Sequence, residues 1–111
     1  LDYGIANTKG RMTDENIRSV LRYAAAHGVK VLDTASAYGT SEETIGRSLK
    51  YLNRSLDIVS KLPSYADGES NPRETVMRSL KQLDTKKIYG YLLHSFEDFH
   101  KAEIWREMTA L

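Results

Sequence analysis

Three short apolar segments, about 30 residues apart, limit the possible folds of this chain more than any other feature. They cover Val29–Leu32, about Leu56 to Ser60 and about Ile88 to Leu93. Amphipathic helical patterns with short connections lie between them. Such strand–helix–strand alternation predicts a parallel sheet with right-handed crossovers. We therefore expect an α/β chain with about three parallel strands and four helices.

The helical patterns carry start and stop signals. Thr13 and Ser41 are placed to cap the first two helices, Gly28 to end the first, and Asn71 to cap the third. The apolar faces are predicted at Ile17, Val20, Leu21 and Ala24; at Ile45, Leu49 and Leu52; at Val76, Leu80 and Leu83; and at Ile104, Met108 and Leu111, with Trp105 in the core.

The length of the chain bounds its architecture. A closed eight-stranded (β/α)8 barrel takes about 250 residues, whereas this chain has 111. Three strands also leave two outer strands with unpaired edges, so self-association through these edges is expected. The chain therefore fits a partial barrel of the TIM-barrel type.

The composition excludes several classes of function. Sixteen basic and 15 acidic residues are interspersed and give a net charge of +1, which does not favour nucleic acid or an anionic membrane as partner. No apolar run approaches the roughly 18 residues of a membrane-spanning helix. There is no cysteine, hence no disulfide or thiolate metal site. We expect a cytoplasmic protein.

An ionisable residue follows each apolar segment, and the three residues differ in type. They are Asp33, Lys61 and His94. Enzymes with barrel or open α/β folds build their active sites at the carboxyl ends of parallel strands. If the three strands are neighbours, an acid, a base and an imidazole meet at one edge of the sheet. This arrangement predicts an enzyme active site.

The segment Asp33–Gly39 reads D-T-A-S-A-Y-G, and with Ser60-Lys61 and Leu92-Leu93-His94 downstream it resembles the aldo-keto reductases. The segment 1–10 is similar to the loop after the first strand of that family. The resemblance implies that residues 1–111 are the amino-terminal part of a (β/α)8 barrel, without its first strand and its carboxyl-terminal half.

The resemblance also implies a function, the reduction of an aldehyde or ketone by NADPH, with NADH as the alternative cofactor. Tyr38 would be the proton donor, Lys61 and Asp33 would tune it, and His94 would orient the carbonyl. Tyr38 and His94 would contact the small-molecule substrate, and Asp33 the cofactor; no metal site is expected. Because the family holds its cofactor largely through later strands and loops, we expect this segment alone to bind NADPH weakly and to be inactive.

The residue types fit this chemistry on physical grounds. Negative charge develops on a carbonyl oxygen during reduction, so a proton donor is needed beside it. A phenol is a weak acid at neutral pH, but an ammonium about 4 Å away stabilises its anion by about 4 kcal/mol at an effective dielectric of about 20. Lys61 can supply that charge to Tyr38 if Asp33 holds the ammonium in place, which requires adjacent strands.

Two other functions remain open from the sequence. Lys61 could be the Schiff-base nucleophile of an aldolase, which borohydride trapping would reveal. Alternatively, the chain could be a non-catalytic, reductase-like subunit used for binding or assembly. Metal-dependent hydrolysis is less favoured, since one histidine and one aspartate are fewer ligands than such a site requires. Tyr65 and Phe96 follow strand ends and are candidates for substrate contact.

Overall fold

The computed structural model describes residues 10, 12–52, 55–64 and 71–110. Within these residues, four α-helices, three β-strands and one 3-10 helix follow one another along the chain. In order they are α1 (Asp14–Ala26), β1 (Val31–Asp33), α2 (Ser41–Leu49), β2 (Asp57–Leu62), α3 (Pro72–Gln82), β3 (Gly90–Leu93), the 3-10 helix (Phe96–His100) and α4 (Ala102–Met108). The predicted content of three strands and four helices is confirmed.

The three strands form one parallel sheet in the order β1-β2-β3. Asp33 pairs with Val59, and Lys61 pairs with Leu92. All three carboxyl ends therefore lie at the same edge of the sheet. The predicted parallel arrangement is confirmed, and the first and second strands are adjacent, as a contact between Asp33 and Lys61 requires.

The strand boundaries differ from the predicted ones. The backbone of Val29 still bonds to the carbonyl of Ala24 in the last turn of α1, so β1 starts two residues later than predicted and ends with Asp33 itself. β2 continues past Ser60 to Leu62, because the backbone of Lys61 remains in the ladder with β3. Asp33 and Lys61 are thus the last and second-to-last residues of their strands.

Two of the three predicted helix caps are confirmed. The side chains of Thr13 and Asn71 each accept a hydrogen bond from the backbone N–H three residues further on. Ser41 was predicted to cap α2, but it is the first residue of the helix, after Thr40. The buried Ser41 hydroxyl accepts a hydrogen bond from the hydroxyl of Thr34 at 3.0 Å, so it serves tertiary packing instead.

Gly28 ends α1 as predicted. It adopts a φ of +89°, the left-handed conformation that glycine adopts without steric cost, and its N–H bonds to Ala25.

The apolar core lies between the sheet and the helices, and its members come from α1, β2 and α4 and from residues beside the ends of β1, β2 and α3. Its buried members are Leu21, Ala25, Ala35, Leu56, Ile58, Leu62, Leu83 and Ile104. The predicted stripe on α1 is correct for Leu21 but wrong for Val20, which is exposed. On α3 and α4, Leu83 and Ile104 are buried as predicted. Val76, Leu80 and Met108 are only half-buried, and Leu111 lies outside the described residues.

The predicted buried face of α2 is wrong. Its apolar residues Ile45 and Leu49, and Leu52 beyond them, are only half-buried. The buried positions of this helix are Ser41, Glu42, Thr44, Gly46 and Ser48. Ser41 and Glu42 bond to the ends of the strands, and Gly46 approaches the end of α3 closely. The inner side of α2 is therefore held by close backbone packing and hydrogen bonds as well as by apolar contact.

Trp105 does not belong to the core, contrary to the prediction. Its side of α4 faces outward with 37% of the residue exposed, while the neighbouring Ile104 is fully buried. The indole N–H donates a hydrogen bond to the carbonyl of Phe99 at 2.6 Å, and the two rings meet edge to face. The indole therefore connects α4 to the preceding 3-10 helix through a hydrogen bond and a ring contact.

Gly46 permits the close approach of α2 and α3, and we predict that Gly46→Ala lowers stability. A Cβ atom there would lie 2.5 Å from the backbone oxygen of Gln82 and 2.7 Å from the backbone carbon of Leu83. The clash is with backbone atoms, which cannot move aside as a flexible side chain would, so the overpacking cost lies in the upper part of the range of about 1–3 kcal/mol. This cost exceeds the gain in helix propensity of about 1 kcal/mol. Urea unfolding of the full chain measures the difference.

Ser19→Ala on the exposed face of α1 is the matched control. It introduces the same residue into a helix without a steric conflict and should change the free energy of unfolding by less than about 0.5 kcal/mol. A Gly46→Ala variant as stable as this control would contradict the packing argument.

Candidate active site

The segment between β1 and α2 makes a compact turn that returns Tyr38 to the sheet edge. The N–H of Tyr38 donates to the carbonyl of Ala35 at 3.0 Å, and the carbonyl of Tyr38 accepts from the N–H of Ser41 at 3.0 Å. Gly39 completes the turn with a φ of +57°, as expected for a glycine in this position. The turn places the Tyr38 side chain beside the carboxyl ends of the strands.

Lys61 and Asp33 form an ion pair across the β1–β2 ladder. The Lys61 ammonium also donates to the carbonyl oxygen of Thr34 at 2.9 Å. The Lys61 side chain is only 17% exposed, whereas that of Asp33 is 62% exposed. The ammonium is thus held by two oxygens in a sheltered position, while the carboxylate remains accessible from solvent.

Tyr38 lies between this ion pair and His94. The Lys61 Nζ atom is 5.5 Å from the centre of the Tyr38 ring. The rings of Tyr38 and His94 are 5.8 Å apart between centroids and nearly perpendicular, at 81°. His94 directly follows β3, and its N–H bonds to the carbonyl of Leu62 at 3.0 Å. The structure therefore brings all four predicted site residues to one edge of the sheet.

Three polar residues support this edge from the helix side: Ser36, Ser60 and Glu42. No role in the site was assigned to them from the sequence. The Ser36 hydroxyl donates to the carbonyl of Lys61 at 2.9 Å. The Ser60 hydroxyl donates to a carboxylate oxygen of Glu42 at 2.5 Å, and both residues are buried. The available signal was Ser60 itself, a polar residue that interrupts an apolar strand on its helix-facing side.

Other predicted residues lie apart from this group or outside the description. Phe96 is largely exposed and stacks on Phe99, and Tyr65 lies outside the described residues. The His27 ring bonds to the carbonyl of Tyr23 at the end of α1, away from the four residues. Within the described ranges, no three His, Cys, Asp or Glu side chains are grouped as a metal site would require.

Tyr91 lies on the helix-facing side of β3, within reach of the buried Glu42–Ser60 bond. Its hydroxyl is 3.0 Å from the Ser79 hydroxyl. Burial raises the pKa of the Tyr91 phenol above its ordinary value of 10.0, and the charge of Glu42 acts in the same direction, while the hydrogen bond with Ser79 opposes it. The folded state therefore holds this proton more tightly than the unfolded state does.

From this we predict an alkaline loss of stability that depends on Tyr91. Because the pKa of Tyr91 is raised in the folded state, its phenol contributes to the free energy of unfolding. This contribution is complete below about pH 10 and is lost as the pH rises through the pKa of Tyr91 in the folded state. Urea unfolding of the wild-type chain and Tyr91→Phe should show a constant difference from about pH 7 to 9, then a decline of at most about 1.4 kcal/mol per pH unit. A difference that stays constant up to about pH 11.5 would refute this.

Comparison with known proteins agrees with this geometry. The family model described as the aldo/keto reductase family matches residues 1–111. The chain belongs to the aldo/keto reductase family. It is 34% identical over 106 residues to the methylglyoxal reductase DkgA of Escherichia coli K12, and 31% identical over 108 residues to that of Salmonella typhimurium.

Solved structures of the same family share the fold. An aldo-keto reductase from Pseudomonas aeruginosa superposes with a TM-score of 0.79 at 31% identity, covering 100% of this chain and 46% of that protein. An aldo-keto reductase from Klebsiella pneumoniae in complex with NADPH gives a TM-score of 0.70 at 27% identity, covering 87% and 36% of the two chains. The predicted fold class, a partial barrel of the TIM-barrel type, is confirmed.

The matched segment is shorter than these relatives. The alignment covers 89% of this chain but 37% of Escherichia coli DkgA, and 91% of this chain but 38% of the Salmonella protein. In the part of the chain that the structure describes, no helix has the length and apolar character needed to cross a membrane.

Proposed function

We propose that residues 1–111 form the amino-terminal part of a barrel that reduces an aldehyde or ketone to an alcohol with NADPH. The observation that carries this proposal is the meeting of Tyr38, Lys61, Asp33 and His94 at the carboxyl edge of one parallel sheet. The relatives named methylglyoxal reductase support a small dicarbonyl compound as the first substrate to test.

In this proposal Tyr38 is the catalytic acid. Its phenol donates a proton to the carbonyl oxygen as negative charge develops there. The Lys61 ammonium, 5.5 Å from the ring centre, stabilises the phenolate that remains. Asp33 and the Thr34 carbonyl hold this ammonium in place. The sheltered position of Lys61 strengthens its effect, since fewer water molecules screen the charge.

His94 is placed to orient the substrate. Its ring stands perpendicular to that of Tyr38 at the same edge. In this proposal a carbonyl oxygen beside both rings receives one hydrogen bond from the Tyr38 hydroxyl and one from a ring N–H of His94. Two donors that converge on one oxygen fix the direction of the carbonyl group and stabilise the charge that develops on it. We infer that His94 contributes mainly to this orientation.

The edge of the sheet offers a hydrogen-bond acceptor for the nicotinamide-ribose end of a cofactor. The exposed Asp33 carboxylate can accept a hydrogen bond from a ribose hydroxyl, and the cofactor, when bound, supplies the hydride. Phosphate groups need additional cations or backbone N–H groups. The Lys61 ammonium at this edge is already neutralised by Asp33. The four residues therefore account for one end of the cofactor only.

A titration of two proteins tests this proposal. The first is the 111-residue chain, which we expect not to saturate with NADPH at concentrations up to about 100 µM. The second is a chimeric barrel in which this chain replaces the matched segment of Escherichia coli DkgA. We expect the chimeric barrel to bind NADPH and to oxidise it when methylglyoxal is added.

The outcomes are read by fluorescence and by absorbance of NADPH. Tight, saturable NADPH binding by the isolated chain would contradict the proposed division of the cofactor site. A folded chimeric barrel that binds NADPH but reduces no aldehyde or ketone would contradict the catalytic proposal and favour a binding or assembly role. The Lys61 ammonium is engaged by Asp33 and by the Thr34 carbonyl and is not free to attack a substrate carbonyl, which argues against an aldolase.

A further inference from the structure

Glu42 is a buried acid for which the proposed reaction gives no role. It lies in the first turn of α2 with 2% of its surface exposed. One carboxylate oxygen accepts the 2.5 Å hydrogen bond from Ser60, which is fully buried. The other oxygen is also buried and has no hydrogen-bond partner among the described residues. An acid in this position lowers stability unless it is compensated, so its contacts require an explanation.

The Glu42–Ser60 bond acts one residue away from Lys61. Successive side chains of a strand point to opposite faces of the sheet. Ser60 therefore points to the helices while Lys61 points to the open face, where Asp33 and Tyr38 lie. A fixed Ser60 side chain sets the rotation of β2 about its axis and thus the direction of the Lys61 side chain.

A second buried bond fixes the adjoining strand to the same turn of α2. The hydroxyl of Thr34, the residue after Asp33, donates to the hydroxyl of Ser41, the residue before Glu42. The first turn of α2 is thus bonded to the ends of both β1 and β2. The positive end of the helix dipole favours the Glu42 carboxylate in this turn, which offsets part of the cost of its burial.

We propose that Glu42 is a positioning residue, which accepts the hydrogen bond of Ser60 and so fixes the end of β2 with Lys61 directed at Asp33 and Tyr38. The effect of Glu42 on catalysis rests on the proposed function. Its effect on the position of the end of β2 does not. A residue needed only for packing could be replaced together with Ser60 by apolar groups without loss. A positioning residue could not.

Amide exchange in the full 111-residue chain separates these two cases. The Ser36 N–H bonds to Lys61 at the carboxyl end of β2, and the Asp57 N–H bonds to Lys30 at the amino end of the same strand. General destabilisation raises both exchange rates together, whereas loss of positioning raises the ratio of the Ser36 rate to the Asp57 rate.

The main variant is the double substitution Glu42→Leu with Ser60→Ala, which removes both polar groups and leaves none unpaired. We expect it to remain folded and to raise the exchange ratio by about tenfold. Glu42→Gln keeps a carbonyl acceptor for the Ser60 hydroxyl and should stay within about twofold of the wild type. Ser60→Ala alone removes little volume and should raise the ratio as the double variant does.

A ratio within about twofold of the wild type in both Ser60→Ala and the double variant would overturn the positioning role. A ratio that rises as much in Glu42→Gln as in the double variant would also overturn it, since the bond to Ser60 would then not be the cause. In the chimeric barrel, we expect the double variant to lower kcat about tenfold with KM for NADPH within about threefold. An unchanged exchange ratio would overturn the positioning role of Glu42 but leave the reductase proposal intact. The reductase proposal is tested separately, by the Tyr38→Phe variant.

Discussion

Tyr38→Phe in the chimeric barrel should lower kcat for carbonyl reduction by about 10²–10⁴-fold, the range expected for loss of a positioned general acid. The substitution removes one hydroxyl and keeps the ring, which packs edge to face with His94. NADPH affinity should therefore change little, because the Asp33 carboxylate and the remaining cofactor contacts are untouched. Steady-state kinetics and NADPH fluorescence titration measure the two quantities separately.

Tyr23→Phe is the matched control for this experiment. Tyr23 is exposed on the outer side of α1 and stacks on His27, away from the sheet edge. It loses the same hydroxyl and should retain the activity of the unmodified chimeric barrel. If Tyr38→Phe also retained it, the phenol would not be the proton donor, and the reductase mechanism proposed here would be wrong.

Lys61→Met should have the next largest effect. The Lys61 Nζ atom lies 5.5 Å from the centre of the Tyr38 ring. At an effective dielectric of about 20, unit charges about 5–6 Å apart interact by about 3 kcal/mol, which corresponds to about a 10²-fold change in rate. Methionine has a similar length and no charge, so the Tyr38 phenolate loses its stabilising partner and Asp33 loses its ion pair. We expect kcat to fall by about 10²-fold, with the loss measured by NADPH oxidation at saturating aldehyde.

Lys50→Met provides the control for removing an ion-paired lysine. The Lys50 ammonium lies 2.6 Å from a carboxylate oxygen of Asp84 and has no part in the site at the sheet edge. Its loss should leave kcat unchanged, because an exposed pair of this kind contributes little even to stability. Comparable losses of activity in both lysine variants would point to a general effect of charge and not to the position of Lys61.

The sequence was sufficient to predict the parallel sheet and the four residues at its edge, for reasons that differ between the two. The strands are apolar and well separated, and short right-handed connections between them require a parallel sheet. Asp33, Lys61 and His94 are recognisable because each follows an apolar run. Their meeting then required only adjacent strands, which the pairing of β1 with β2 and of β2 with β3 provides.

The sequence did not predict which residues fill the space between the sheet and α2. Periodicity favoured Ile45 and Leu49, but the helix turns Glu42 and Gly46 inward. One reason is the short distance between the backbone of α2 at Gly46 and that of α3 at its carboxyl end. The other is the buried hydrogen bond between Ser60 and Glu42. Neither depends on hydrophobicity. The prediction that Trp105 lies in the core was wrong for a related reason, because its indole N–H donates a hydrogen bond to the backbone carbonyl of Phe99 at the surface.

The side of the sheet that faces away from the helices bears apolar side chains which the described part of the chain leaves uncovered. Val31 is 44% exposed and Leu92 is 49% exposed there, and β1 and β3 form the outer strands of the described sheet. Water solvates such a surface poorly, so contact with another apolar surface lowers its free energy. We therefore expect the solubility of the 111-residue chain to depend on protein concentration and on added salt. Precipitation from a clarified sample on standing would reflect association of chains through this uncovered apolar face.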